Sequence, residues 1–239
     1  MEKHSMLYEG KAKKLFETED PSILLIEYKD SLTAFNAQKK STLSGKGSLN
    51  NKISAYLLEF IGSRGIPTHF VKIVDETHQL VKKVGIIPLE VVVRNITTGS
   101  LCKRLGVKEG VELKKPLLEF YLKDDALEDP IVTEDHVSAF EWASPAEVEI
   151  LKRISLEVNK LLKERFLQVG IVLVDLKLEF GRTPDNTVIL ADEISPDTCR
   201  LWDISSGEKL DKDRFRKDLG NVLESYREVW ERISKGEKR

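Results

Sequence analysis

The sequence predicts an α+β fold in two lobes, a β-rich N-terminal lobe over residues 1–86 and a larger α/β lobe over residues 87–239. Three observations carry this expectation. Short β-rich runs fill the first third of the 239-residue chain, Gly85-Ile86-Ile87-Pro88 reads as a hinge, and two long helical patterns alternate with β-branched runs after it. The hinge follows from Pro88, which disfavours helical backbone at the residue before it.

In chain order, residues 7–8, 13–17 and 22–28 read as strands broken by Gly10 and Asp20-Pro21. Residues 48–61 predict a helix on the stripe Leu49, Ile53, Leu57 and Phe60, with Ser48 as N-cap and Gly62 as its end. Residues 68–74, 79–83 and the β-branched run 88–95 follow as strands. Between residues 117 and 149 lie ten acids and a single lysine, Lys123, which suits either a solvated surface or an acidic lip near a cation site. Ser144, Pro145 and Glu147 form a capping box with proline at the first helical position. The helix they open carries Val148, Leu151, Val158, Leu161, Leu162 and Phe166 on one face and closes at Gly170. Residues 171–180 and 188–192 predict a hairpin around the turn Pro184-Asp185-Asn186-Thr187. A last helix starts near Asp211, with Phe215, Leu219, Val222, Tyr226, Val229 and Ile233 as a core stripe.

Composition excludes several classes. Lys+Arg is 38 against 40 for Asp+Glu, a net charge of −2, so binding of nucleic acid through a general basic field is not expected. No run reaches the roughly 18 apolar residues of a membrane-spanning helix, and the opening MEKHSMLYEG lacks a signal-peptide core. Cys102 and Cys199 form no CxxC and no disulfide framework, which points to a reducing cytosol. The four histidines show no zinc spacing.

Four clusters could carry chemistry. In the strand 171–180, Val172, Val174, Leu176, Leu178 and Phe180 share one face, while Asp175, Lys177 and Glu179 share the other. A four-residue turn then pairs Glu179 with Asp192. Two facing carboxylates are tolerable around a hard cation such as Mg²⁺, with Lys177 beside it for a phosphate. The alternative is a solvated hairpin, and a one-residue slip of register would remove the metal argument. Lys11 and Lys13, beside Gly10, suit either a phosphate clamp or a plain basic turn. Ser44-Gly45-Lys46-Gly47-Ser48 resembles a phosphate loop, but Gly47 stands where Ser or Thr is needed. Glu90, Val92 and Arg94 share a strand face ahead of Thr98-Gly99-Ser100. That reads as either a phosphomonoester site or a salt-bridged strand. Ser195-Pro196-Asp197-Thr198-Cys199-Arg200 forms a polar loop after the acids, in which Cys199 reads as a packed thiol. Together these features suggest a two-lobed nucleotide enzyme.

LYEGKAKKLF (7–16), SGKGSLNN (44–51), PLEVVVRN with TGS and KRLG (88–106), DDALEDP (124–130), VDLKLEFG (174–181), ADEISPDTCRLWD (191–203) and LDKDRFRKDLG (210–220) closely resemble the SAICAR synthetase family of purine biosynthesis. The resemblance runs from Leu7 to about Ile233. Ala37, Thr98 and Leu176 depart from the family's usual Gly, Ala and Phe. The resemblance implies a fold related to ATP-grasp and kinase-like folds, with ATP between the lobes. It also implies a cytoplasmic, homodimeric ligase that joins the carboxylate of CAIR to the amine of L-aspartate with ATP and Mg²⁺, through an acyl phosphate. Lys11, Ala12, Lys13 and Lys177 would then hold ATP phosphates, and Val81, Lys82 and Val84 the adenine. Glu179 and Asp192 would bind Mg²⁺, and Glu90 and Asp129 a further ion at the CAIR carboxylate. Arg94, Ser100 and Arg200 would grip the ribotide phosphate, and Asp175 and Asp197 the imidazole or ribose. Lys177, Asp175, Glu179 and Asp192 form the implied catalytic set. A small-molecule kinase and a silent nucleotide-binding regulator are the rivals.

Overall fold

A computed structural model of the chain describes residues 5–34 and 38–235. The departure at Ala37 lies outside the described residues. In chain order the first part contains β1 (Met6–Glu9), β2 (Lys13–Glu17), β3 (Ile23–Tyr28), β4 (Ser31–Ala34), β5 (Lys39–Thr42), α1 (Lys46–Gly62), β6 (Phe70–Ile73) and β7 (His78–Lys82). A five-stranded antiparallel sheet runs β1-β2-β3-β7-β6, and β4 and β5 form a separate hairpin.

The second part contains β8 (Gly85–Ile96), α2 (Gly99–Leu105), β9 (Glu112–Leu122), β10 (Ile131–Val132), α3 (Glu134–Ala139), α4 (Pro145–Leu167), β11 (Ile171–Arg182), β12 (Val188–Ala191), β13 (Cys199–Asp203), α5 (Asp213–Arg216) and α6 (Val222–Lys235). Its six-stranded sheet runs β10-β9-β8-β11-β12, with β13 also on β11. The stretch from Gly85 to Pro88 is the start of β8 rather than a free connector, and the pairing shifts register there, opposite Glu179 and Gly181.

The expected start of the first long helix needs correction. The cap position is Gly45, not Ser48, and its φ of +89° suits a residue without a side chain. The carboxylate of Asp30 accepts from the Gly45 and Gly47 backbone N–H groups at 3.1 and 2.9 Å. The loop that resembles a phosphate cradle is therefore filled by the chain's own acid. A Cβ at Gly47 would meet the Tyr28 carbonyl oxygen at 2.5 Å, so this glycine serves close packing. Gly47→Ala is expected to cost roughly 1–3 kcal/mol through overpacking, read as a lowered denaturation midpoint. An unchanged midpoint would refute the packing role.

The long helix α4 has the predicted capping box. Ser144 and Glu147 bond reciprocally, with Pro145 at the first position. The last helix does not run unbroken from Asp211. Residues Asp218, Gly220 and Asn221 take positive φ and separate α5 from α6, and Leu219 is exposed.

One main core joins the inner face of the second sheet (Val91, Val93, Leu176, Leu178, Phe180) to Leu151, Val158, Leu162 and Phe166 of α4, Ile53, Leu57 and Ile61 of α1, and Val229 and Ile233 of α6. Each such side chain contributes about 1.5–3 kcal/mol on burial. A smaller cluster, Leu24, Ile26, Tyr28 and Val81, sits on the first sheet. With the apolar face of β11 covered by α4, its opposite face is left to line a cleft. Among the described residues no helix is long and apolar enough to cross a membrane.

Candidate active site

The cleft encloses about 760 Å³ and is lined by both sheets. From the first sheet and its margin come Lys11, Ala12, Lys13, Val81, Lys82 and Val84, and from the second Glu90, Arg94, Asp129, Asp175, Lys177, Glu179, Asp192, Asp197 and Arg200. Ser100 stands just behind, accepting from Arg94 Nη2 at 3.1 Å. Residues scattered over nearly 190 positions of sequence thus converge on one cavity.

The floor is the polar face of β11 beside β8. Asp175 stands opposite Arg94, Lys177 opposite Val92, and Glu179 opposite Glu90. Lys177 Nζ lies 2.6 Å from both Glu90 and Glu179, and Lys123 Nζ lies 2.9 Å from Glu179. Burial opposes the Lys177 ammonium, yet Glu179 and Glu90 outweigh it and hold its pKa well above the usual lysine range. Burial raises the pKa of Glu90, and Lys177 limits the rise.

The predicted register of the hairpin is off by one. Glu179 faces Ala191, not Asp192. A regular strand would then send Asp192 to the far side of the sheet. Strand β12 ends at Ala191, however, and Asp192 takes a φ of +58°, a left-handed conformation that Asp tolerates better than most residues. Its carboxylate lines the same cleft as Glu179 and accepts from Lys13 Nζ. Burial pushes the Asp192 carboxyl up, but Lys13 and Lys177 overcome it and keep its pKa below the usual carboxylate value. The acid that directly opposes Glu179 is Glu90, from a strand far away in sequence. The oxygen donors Glu90, Glu179, Asp192 and Asp129 suit a hard cation completed by phosphate oxygens. Among the described residues no three or more His, Cys, Asp or Glu side chains converge as a protein-only centre.

At the other end, Arg94 is almost wholly committed to the protein. Nε donates to Glu119 at 2.7 Å, Nη1 to Asp175 at 2.9 Å, and Nη2 to Ser100 and Tyr121 at 3.1 Å each. Arg200 donates to Asp175 at 2.7 Å and to Asp213 at 3.1 Å. Asp197 is surrounded by Lys46 at 2.6 Å, Asn50 at 2.9 Å and Tyr226 Oη at 2.6 Å, donors from α1 and α6. Cys199 is buried with its thiol pKa pushed up by burial, as expected of a packed thiol.

A family model described as SAICAR synthetase matches residues 6–233. The chain belongs to the SAICAR synthetase family. A phosphoribosylaminoimidazole-succinocarboxamide synthase of Halalkalibacterium halodurans is 54% identical over 233 residues, covering 98% of each chain. The crystal structure of the Ehrlichia chaffeensis synthase superposes with a TM-score of 0.95 at 48% identity, over 96% of this chain and 98% of that one. A SAICAR synthetase in complex with ADP superposes at 0.93 and 44% identity, over 97% and 98%.

In this member of the SAICAR synthetase family, several residues in and around the cleft had escaped the sequence reading. Glu193, nearly fully buried, pairs with Lys13 at 3.2 Å, and Lys46 is buried against Asp197. Lys123, His69, Lys212 and Arg216 also line the cleft. The adjacency Asp192-Glu193 was a usable signal for Glu193. Lys46, Lys212 and Arg216 lie within the strings 44–51 and 210–220 and Lys123 directly before 124–130, but their residue types alone assign them no place in the cleft.

Behind Arg200, buried Asp211 accepts from the backbone N–H groups of Leu201 at 2.8 Å and Asp213 at 2.7 Å. Burial, and then the Asp213 charge, raise its pKa to about 7. The folded chain therefore holds this proton more tightly than the unfolded one. The stability Asp211 contributes is fully present below about pH 4 and is lost as pH rises towards 7. The wild-type melting temperature minus that of Asp211→Asn should therefore fall between pH 4 and 7. A difference that stays constant would contradict this.

Proposed function

We propose that the cleft carries out the family's ligation, ATP + CAIR + L-aspartate giving SAICAR, ADP and phosphate, through an acyl phosphate. An oxygen of the CAIR carboxylate bonds to the γ-phosphorus and ADP leaves. The aspartate amine then bonds to the acyl carbon, the C–O bond to phosphate breaks, and the amine gives up its proton. A carboxylate is a poor acceptor for an amine in water, so activation must precede attack. Transfer of this kind asks the protein mainly for position and charge neutralisation.

Lys11, Lys13 and Lys177 supply the positive charge for the triphosphate, with Ala12 backbone beside them and Val81, Lys82 and Val84 along the base. Mg²⁺ held by Glu179 and Asp192, with Glu90 and Asp129 available for a further ion, would neutralise phosphate charge when bound. Arg200 and Ser100 suit the ribotide phosphate, with Arg94 positioning Ser100 and Asp175 rather than offering a free fork. Asp197 orients its loop beside the ribose or imidazole. This reading divides the chain at about residue 86 into a nucleotide lobe and a substrate lobe, with ATP between them. The two free cysteines suit the cytosol, and the family resemblance favours a homodimer.

The observation that carries the proposal is the Glu90–Lys177–Glu179 bridge facing Lys13 and Asp192 in one cleft of a SAICAR synthetase relative. The test is ADP and phosphate release with CAIR, with and without L-aspartate. Aspartate-dependent release with a succinyl adduct is expected. Turnover that ignores aspartate and leaves a stable phosphoester would replace the ligase with a kinase.

A further inference from the structure

Lys13 of β2 meets two consecutive acids, Asp192 and, at 3.2 Å, Glu193. Neighbours in a regular strand point to opposite faces. The left-handed backbone at Asp192 breaks that alternation, and both carboxylates turn to one ammonium. The two acids are held differently. Among the described residues, Lys13 is the one hydrogen-bond donor to the Asp192 side chain, which is 21% exposed. Glu193 is 4% exposed, and both its oxygens are engaged. Oε1 faces Lys13, and Oε2 accepts from Ser195 Oγ at 2.7 Å. Ser195 Oγ in turn accepts from the Asp197 backbone N–H at 3.1 Å, and the Thr198 hydroxyl donates to the Glu193 carbonyl at 3.3 Å. Beside them, the Ile194 N–H donates to Ser54 Oγ of α1 at 3.2 Å. Glu193 is thus anchored through side chain and backbone, whereas Asp192 is tied only to the lysine.

That difference bears on a conflict inside the cleft. Asp192 is asked to accept from Lys13 and also to hold a divalent cation. An ammonium and a metal ion on one carboxylate repel each other at close range, so the lysine must be drawn off before the metal is bound well. Glu193 lies behind Asp192, keeps its full charge beside the same ammonium, and cannot follow either partner into the cleft.

We propose that Glu193 is a positioning residue that retains the Lys13 ammonium when Asp192 turns to the cation, so that lysine and metal do not compete for one carboxylate. The inference rests on the reading above in which Asp192 binds Mg²⁺. The probe is Mn²⁺, which takes the same carboxylate donors as Mg²⁺ and whose free ion is counted by electron paramagnetic resonance. It is titrated into the full-length enzyme with ADP, against ADP alone. Glu193→Gln keeps the shape and removes the charge, so Lys13 should fall back on Asp192. The Kd for Mn²⁺ should then rise roughly 10- to 100-fold, the usual loss when a group supporting a metal ligand is removed. Glu193→Asp, which keeps the charge one methylene further back, should lie between wild type and Glu193→Gln. In a Lys13→Met background, Glu193→Gln should leave the Kd within about twofold, because its effect runs through the ammonium. If Glu193→Gln melts below the assay temperature, Glu193→Asp carries the comparison, with a rise beyond about twofold expected. An unchanged Kd in the variant measured would overturn the proposal. So would a loss in the Lys13→Met background as large as in the single variant, which would make Glu193 a metal ligand in its own right. Wild-type enzyme that adds nothing to the Mn²⁺ binding of ADP alone would defeat the metal reading itself, and that control is run first.

Discussion

Asp192→Asn should lower kcat by roughly 10²–10³-fold, the loss of about 3–4 kcal/mol that accompanies removal of one positioned charge from a transition state. The substitution keeps size and leaves an oxygen to accept from Lys13, so the fold should survive. What disappears is the negative charge that Lys13 and Lys177 together hold ionised. Without it the cleft gains net positive charge, and the carboxylate oxygen proposed to hold a hard cation is gone. Single-turnover ADP formation with CAIR and ATP isolates the phosphoryl step, and a melting curve by circular dichroism reports the fold. A kcat within threefold of wild type would remove Asp192 from the chemistry. A collapsed melting curve would mean that its bond to Lys13 is chiefly structural.

Lys177→Met should damage both activity and stability. Lys177 is the ammonium between Glu90 and Glu179, which face each other across β8 and β11. Removing it leaves two nearly buried carboxylates opposed, with Lys123 as the nearest compensation for Glu179. Breaking a buried ion pair from one side costs about 3 kcal/mol or more, which in a chain of this size corresponds to a fall in Tm of ~6–12 °C. Glu90→Gln in the Lys177→Met background should restore much of the Tm, because the repulsion is gone, but none of the turnover. Recovery of turnover in the double variant, or an unchanged Tm in the single one, would show that the bridge is dispensable.

The contrast between these residues explains what could be read from the chain. The alternation Asp175, Lys177, Glu179 against Val174, Leu176, Leu178 and Phe180 is local, so the polar face of β11 was legible, as was the capping box at Ser144. The partner of that face was not. Glu90 reaches Glu179 through a strand pairing that no local pattern encodes, and the predicted hairpin register missed by one. The error stayed harmless because a left-handed residue at the end of β12 returns Asp192 to the cleft. Such backbone choices leave little trace in composition, although Asp-Leu-Gly-Asn at 218–221 did contain the turn that splits α5 from α6. Likewise, Ser44-Gly45-Lys46-Gly47 looked like an anion cradle. Only the structure reveals that Asp30 already occupies it and that Lys46 turns inward to Asp197.

The grip of Tyr226 on Asp197 reaches from α6 to a loop that lines the cleft. Anything that pulls on α6, whether a fused tag, a proteolytic nick before it or a neighbouring molecule, therefore acts mechanically on the Asp197 loop at the cleft. An engineer who trims that helix as a dispensable tail would be loosening a tether of the cleft wall.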